Sequence, residues 1–309
     1  MGLLIAVIVL LLLLILVAYF FYRKVSFRPP VKDLLQEETL LASELFSYAS
    51  VLKPALDWYR SRQWEILSLS AADGTPLKAL WLAGKGDKPC LILQHGYGDL
   101  PQNMSVVARW ASGKGWSLLL PYARAHGESG GEACSLGLME AEDCRNWVQA
   151  AEERAGEAGK LILYARDMGA YAALRTLDAP SQHLAAVISD SAYTSPKEIL
   201  RHVMKNQMRM RVFPMLQLVC LFLRLRWKRS PAIGALTDAA EGEPTVPILF
   251  IHGKRDRSIP PAMTETLHKA YSGPKSLYLA EEAGHNAAPL ADSAAFFRKL
   301  EEFLSPVLK

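Results

Sequence analysis

The sequence predicts an α/β fold, a mostly parallel sheet of eight strands with helices on both faces, preceded by an apolar helix long enough to cross a bilayer. Three observations carry this. Eight short apolar runs have strand length, longer amphipathic stretches separate most of them, and the first segment carries no charge at all.

Gly2 to Tyr22 is dominated by Leu, Ile and Val. As a helix rising about 1.5 Å per residue it covers roughly 30 Å, the thickness of a hydrocarbon core. No basic residue precedes the run and no small-x-small site follows it, so an uncleaved anchor over 1–23 is expected rather than a signal peptide. Arg23, Lys24, Arg28 and Lys32 follow at once. The positive-inside bias then makes this a single-pass membrane protein with its main domain in the cytoplasm. Residues 24–62 read as a helical connector, because Leu34, Leu35, Leu41, Leu45, Phe46 and Leu52 recur near a 3.6-residue period. The remaining residues, 63–309, form the expected catalytic-size domain.

Its strands are expected at 64–70, 77–82, 90–94, 116–120, 160–165, 184–189, 247–252 and 275–280. Between them, residues 138–154 place Leu138, Ala141, Trp147, Val148 and Ala151 on one helical face. About 55 residues separate the sixth strand from the seventh, too many for one crossover helix, so a lid is expected at about 194–244. From Lys197 to Arg229 this insertion has nine Lys or Arg residues against the single acid Glu198, around the apolar run at 212–223. It either closes over the core with a solvated basic face or rests on an anionic membrane surface. The run is too short for a second span.

A formal net charge of +4 over 309 residues does not call for a nucleic-acid partner. Cys90, Cys134, Cys144 and Cys220 form no CxxC pair and are expected as free thiols. The seven histidines form no HExxH or similar cluster, so neither a metal nor another cofactor is expected.

The fifth strand leads into a tight turn and an amphipathic helix, with Asp167 at the turn and small residues, Ala165 and Gly169, two positions to either side. A side chain displayed on such a strained bend needs small neighbours, and a carboxylate there gains from the helix dipole. Taken alone, Asp167 is better explained as a helix cap. Two further residues change the balance. Asp256 follows the seventh strand and His285 the eighth, and the strand ends of a parallel sheet gather on one side. Nucleophile, acid and histidine thus occur in hydrolase order.

With these motifs the chain resembles the α/β-hydrolase superfamily over roughly residues 63–305. The likeness is strongest to the serine-hydrolase branch that includes membrane-anchored, aminopeptidase-like and acylglycerol-lipase-like members. LILQHGYGD resembles the family's oxyanion turn and LLLPYARAHGESGG its turn after the fourth strand. The resemblance implies a hydrolase of ester, acyl or lipid-like small molecules, with oxyanion donors at the Tyr97 and Met168 N–H groups and with His95 and His126 as turn residues. The departure lies at the nucleophile, where Ala165-Arg166-Asp167-Met168-Gly169 replaces the family's Gly-x-Ser-x-Gly. A carboxylate is ionised without help and can attack an sp³ carbon to form an ester, which His285, oriented by Asp256, would hydrolyse through water. Such chemistry serves epoxides and alkyl halides. Gly98, Met168 and a tyrosine-free lid differ from the usual aspartate-nucleophile pattern, so a catalytically impaired binding or scaffolding protein stands as the alternative. Asp190, at the sixth strand end, is a second candidate for the acid.

Overall fold

The structure, a computed structural model, describes residues 1–155, 159–236 and 245–309. Its described residues form one sheet from β1 (Glu65–Ser70), β2 (Pro76–Leu82), β3 (Cys90–Gln94), β4 (Ser117–Pro121), β5 (Leu161–Arg166), β6 (Leu184–Asp190), β7 (Ile248–Gly253) and β8 (Lys275–Ala280). The spatial order is β1-β2-β4-β3-β5-β6-β7-β8. Only β2 runs against its neighbours β1 and β4; the other pairs are parallel. Every predicted strand is present, with ends within about one residue of the prediction.

The middle strands are apolar throughout because both faces are covered. Cys90 and Ile92 of β3 join one core cluster and Leu91 and Leu93 the other, the alternation of a pleated strand. The edge strand β1 instead alternates toward solvent, with a burial pattern of exposed and half-buried residues.

The helices are α1 (Gly2–Ser26), α2 (Glu37–Ala42), α3 (Ala49–Arg60), α4 (Ser105–Gly113), α5 (Glu140–Ala155), α6 (Met168–Arg175), α7 (Pro196–His202), α8 (Met215–Trp227), α9 (Pro261–Ala270), α10 (Ala288–Ala291) and α11 (Ser293–Leu304). α4 and α11 pack on one face of the sheet, α5, α6 and α9 on the other. The first helix is the one described helix long and apolar enough to cross a membrane, with a mean hydropathy of 3.4.

The connector differs from a single amphipathic helix. After Ser26 the chain turns extended and is stitched to the domain: Arg28 N–H donates to Glu132 O at 2.9 Å, Lys32 N–H to Gly98 O at 2.9 Å and Leu34 N–H to Asn103 Oδ1 at 3.1 Å. α2 then ends at Ser43, whose hydroxyl accepts the Leu45 N–H and starts a short 3₁₀ turn before α3. That restart resets the helical phase, so Leu40 and Leu52 face inward while Leu41 and Phe46 are exposed.

The insertion after β6 contains α7, a π-helical turn at Val203–Gln207 and α8. The end of the span expected to form the lid, residues 237–244, lies outside the described residues. Met204, Leu216, Val219 and Leu223 of the insertion are buried in the larger core cluster, which also contains Met168 and packs against Tyr97.

Candidate active site

The parallel strands β3, β5, β6, β7 and β8 are consecutive neighbours, so the loops after their C-terminal ends share one edge of the sheet. Asp167 follows β5 directly with φ 53° and ψ −120°, a conformation that a residue with a Cβ adopts only under strain. Two backbone bonds hold it, from Asp167 N–H to Asp190 O at 2.9 Å and from Tyr171 N–H to Asp167 O at 3.1 Å. The small neighbours have specific reasons. A Cβ on Gly169 would lie 2.7 Å from Gln94 O, and one on Gly96 would lie 2.7 Å from Asp167 Oδ2.

The Asp167 side chain makes no capping bond to α6. Its Oδ2 instead accepts the Tyr97 N–H at 3.0 Å, and the residue is only 8% exposed. Burial pushes its carboxyl up to about 6, against the lowering effect of the His285 charge and the Tyr97 N–H. The Met168 N–H, first in α6, donates to no acceptor among the described residues.

The Tyr97 turn is fixed by two buried imidazoles. His95 Nε2 accepts the Ala123 N–H at 2.9 Å, and His126 Nε2 accepts the Gly98 N–H at 3.0 Å. Their Nδ1 atoms lie 2.8 Å from the Gly96 and Arg124 carbonyl oxygens, so in both rings the proton is assigned to Nδ1. Burial lowers the pKa of both rings, to about 4 for His95, in keeping with neutral turn residues. Beneath the elbow, Arg166 is paired with Asp99 at 2.8 Å and donates to Asn103 O.

Asp256 and His285 are brought together. His285 Nδ1 lies 2.8 Å from Asp256 Oδ2, while Asp256 Oδ1 accepts the Ser258 and Ile259 N–H groups at 2.8 and 2.9 Å. Burial would raise the Asp256 pKa, but hydrogen bonds from His252 and His285 outweigh it and hold the carboxyl well below the usual range. For His285, burial is outweighed by the Asp256 hydrogen bond and by the charges of Asp256 and Asp167, and the net shift is upward. No hydrogen bond joins His285 to Asp167 among the described residues; the two interact through charge. The β8 loop reaches back over β7 because residue 253 is glycine: a Cβ there would lie 2.6 Å from Gly284 O.

Asp190 is occupied elsewhere. It accepts the Tyr164 hydroxyl at 2.7 Å and the Ser191 hydroxyl at 3.0 Å, and burial raises its pKa. Sequence reasoning did not single out His252, which is fully buried with Nε2 3.2 Å from Asp256 Oδ2 and 2.9 Å from Ile259 O. Both partners accept, so Nε2 carries hydrogen and Nδ1 takes the Thr264 hydroxyl at 2.7 Å. The signal available was its place as the last apolar-strand residue but one, four before Asp256.

A family profile described as serine aminopeptidase, S33, matches residues 86–241, about half of the chain. The uncharacterized protein YqkD of Bacillus subtilis is 28% identical over 240 residues, covering 76% of this chain and 77% of its own. YfhR of Escherichia coli K12 is 25% identical over 236 residues, covering 72% and 73%. Among solved structures, the Pyrococcus furiosus esterase Pf2001 superposes with a TM-score of 0.62 at 20% identity, covering 81% of this chain and 94% of that one. A thermophilic esterase from Thermogutta terrifontis superposes with a TM-score of 0.53 at 18% identity, covering 80% and 100%. These structures share the fold.

Proposed function

We propose, because the chain belongs to the serine aminopeptidase (S33) family of α/β-hydrolases, that it is a membrane-anchored hydrolase of ester or related lipid-like substrates in which Asp167 is the nucleophile. One observation supports the mechanism: Asp167 Oδ2 accepts the Tyr97 N–H, and among the described residues Oδ1 has no hydrogen-bond partner.

In this reading Oδ1 attacks an sp³ carbon bonded to a leaving oxygen. The carbon–oxygen bond breaks, the leaving oxygen keeps the electron pair and takes up a proton from solvent, and an ester forms on Asp167. His285, its Nδ1–H donated to Asp256, removes a proton from water, which attacks Cγ of Asp167. Negative charge then develops on Oδ2, the atom already facing the Tyr97 N–H, with the Met168 N–H as second donor. On collapse the Cγ–Oδ1 bond breaks, the departing alkoxide takes the proton from His285, and the new acid loses its proton to solvent, which restores the carboxylate. Epoxides and activated alkyl esters fit this chemistry.

The same contact favours a second reading for acyl esters. A substrate carbonyl attacked at carbon would compete with Oδ2 for the Tyr97 N–H, and the product would be a mixed anhydride. In that second reading the protein binds such substrates without efficient turnover.

The test is turnover of an epoxide, short acyl esters and monoacylglycerols by the full chain in detergent, comparing it with Asp167→Asn and Asp167→Ser. Asp167→Asn is expected to lose epoxide turnover by at least about 10³-fold, the scale of removing an essential nucleophile. A single turnover in ¹⁸O-water should label Asp167. Activity should fall as pH drops through about 6, because burial sets the Asp167 pKa there and protonation removes the attacking charge. Ester hydrolysis gained only in Asp167→Ser would instead establish the binding protein. Unlabelled Asp167 in an active enzyme would overturn the covalent route.

A further inference from the structure

α1 has two parts with different surroundings. Leu3 to Val17 present mostly open side chains, 81% exposed at Leu3 and 62% at Leu16, whereas Ala18, Phe21, Tyr22 and Ser26 are buried against the domain. The element covering this second part is α8. The Tyr19 and Tyr22 rings lie 5.5 and 5.6 Å from Phe222, and the Arg226 guanidinium lies 5.0 Å from the Phe27 ring. Residue numbers rise together along both segments, so the contacts run in the same sense.

This pairing sets a depth. If Gly2 to Tyr22 spans roughly 30 Å of hydrocarbon, Tyr19 and Tyr22 sit at its boundary, where amphipathic rings are favoured. Phe222 then lies at that same depth. The charge steps agree: α1 is uncharged to Tyr22 and then reads Arg23-Lys24, and the insertion is uncharged from Val212 to Leu223 and then reads Arg224, Arg226, Lys228, Arg229. Leu216, Val219 and Leu223 of α8 face the core. Phe213, Leu221 and Leu225 are instead 74%, 47% and 56% exposed. Arg209, Arg211, Arg224 and Lys228 are exposed around them and form no ion pair with a described residue.

We propose that α8 is a second membrane-contacting element, seated in the anionic bilayer interface beside α1. Phe213 and Leu221 enter the acyl chains beside α1, Leu225 lies at their boundary, and Arg224 and Lys228, which follow Phe222, meet phosphate headgroups. The inference rests on α1 being a membrane span, and it places the insertion, which shares a core cluster with Met168, in contact with lipid, so that amphiphiles dissolved in the bilayer are the substrates presented to the site.

The test uses the full chain in a Cys220→Ser background, with Phe213→Cys, Leu221→Cys or Leu225→Cys carrying an environment-sensitive fluorophore. Leu10→Cys reports the anchor, and Glu302→Cys on α11 reports water. The proteins are reconstituted into vesicles of phosphatidylcholine with phosphatidylglycerol that contain acyl-chain spin-labelled lipid. Positions 213, 221 and 225 are expected to be quenched several-fold more than position 302 and less than position 10. Replacing phosphatidylglycerol by phosphatidylcholine, or introducing Arg224→Gln with Lys228→Gln, should weaken quenching at the three α8 positions and leave position 10 unchanged. Quenching at 10 with 213, 221 and 225 matching 302 would overturn the inference while keeping the anchor. Concentration-dependent cross-linking of two copies through 221 or 225, without lipid quenching, would assign the face to self-association and also overturn it. No quenching at 10 would remove the anchor and the inference with it.

Discussion

The Asp167 carboxylate sits at 8% exposure with its pKa raised to about 6 from 3.8, so between those pH values the folded chain holds a proton that the unfolded chain releases. The stabilising effect of that proton is complete below about pH 4 and is lost as pH rises through about 6. Above that range the ionised folded form carries a penalty on the order of 3 kcal/mol. Asp167→Asn keeps an oxygen for the Tyr97 N–H and removes the charge. Its melting temperature should match the parent near pH 4 and exceed it at pH 8, measured by calorimetry or circular dichroism; an equal or lower value at pH 8 would contradict the burial argument. Asp167, Asp256 and His285 could be singled out in the sequence because each lies in the loop after a recognisable apolar strand. The Asp99–Arg166 pair could not. Successive strand residues point to opposite faces, so Arg166 turns away from the elbow toward a partner 67 residues distant, a relation with no local periodicity.

At the level of elements, glycines decide how the loops cross. A Cβ on Gly253 would come within 2.6 Å of Gly284 O, immediately before His285. Gly253→Ala should therefore shift the β8 loop and lengthen the contact between His285 and Asp256. The expected result is a fall of about tenfold or more in kcat with KM little changed, equivalent to ~1.4 kcal/mol on the barrier, and a stability loss of about 1–3 kcal/mol. Unaltered kcat in a folded variant would show that the loop accommodates the methyl. Strand positions were legible because apolar runs bounded by Gly and Pro have few other readings. The placement of β4 between β2 and β3 was not, since periodicity gives an element's type and not its neighbour. The connector is helical in separate pieces: the 3₁₀ turn begun at Ser43 shifts the phase between Leu34 and Leu52, a break that a 3.6-residue count does not register.

Across the whole molecule, the apolar N-terminal helix is not a detached tether. Ser26 Oγ donates to Cys134 O at 2.6 Å, Phe27 bridges to Ala133, and the Arg28 guanidinium donates to Gly127 O at 2.8 Å and Gly131 O at 3.2 Å. Together with Phe21 and Tyr22, these residues close the domain beside α8. Hydropathy alone showed the length of this helix but could not show that its last third belongs to the core, because Phe21 and Tyr22 read equally well as lipid-facing. The two parts of α1 should separate by truncation. Residues 18–309 retain every buried side chain of α1, whereas residues 30–309 lose Ala18, Phe21, Tyr22 and Ser26. Two aromatic side chains of about 150–250 Å² each, at about 25 cal/mol per Å², make the difference on the order of 10 kcal/mol. In the same mild detergent, 18–309 should melt close to the full chain, and 30–309 should melt many degrees lower or aggregate. Equal melting of the two fragments would mean that the packed part of α1 adds nothing to the stability of the domain.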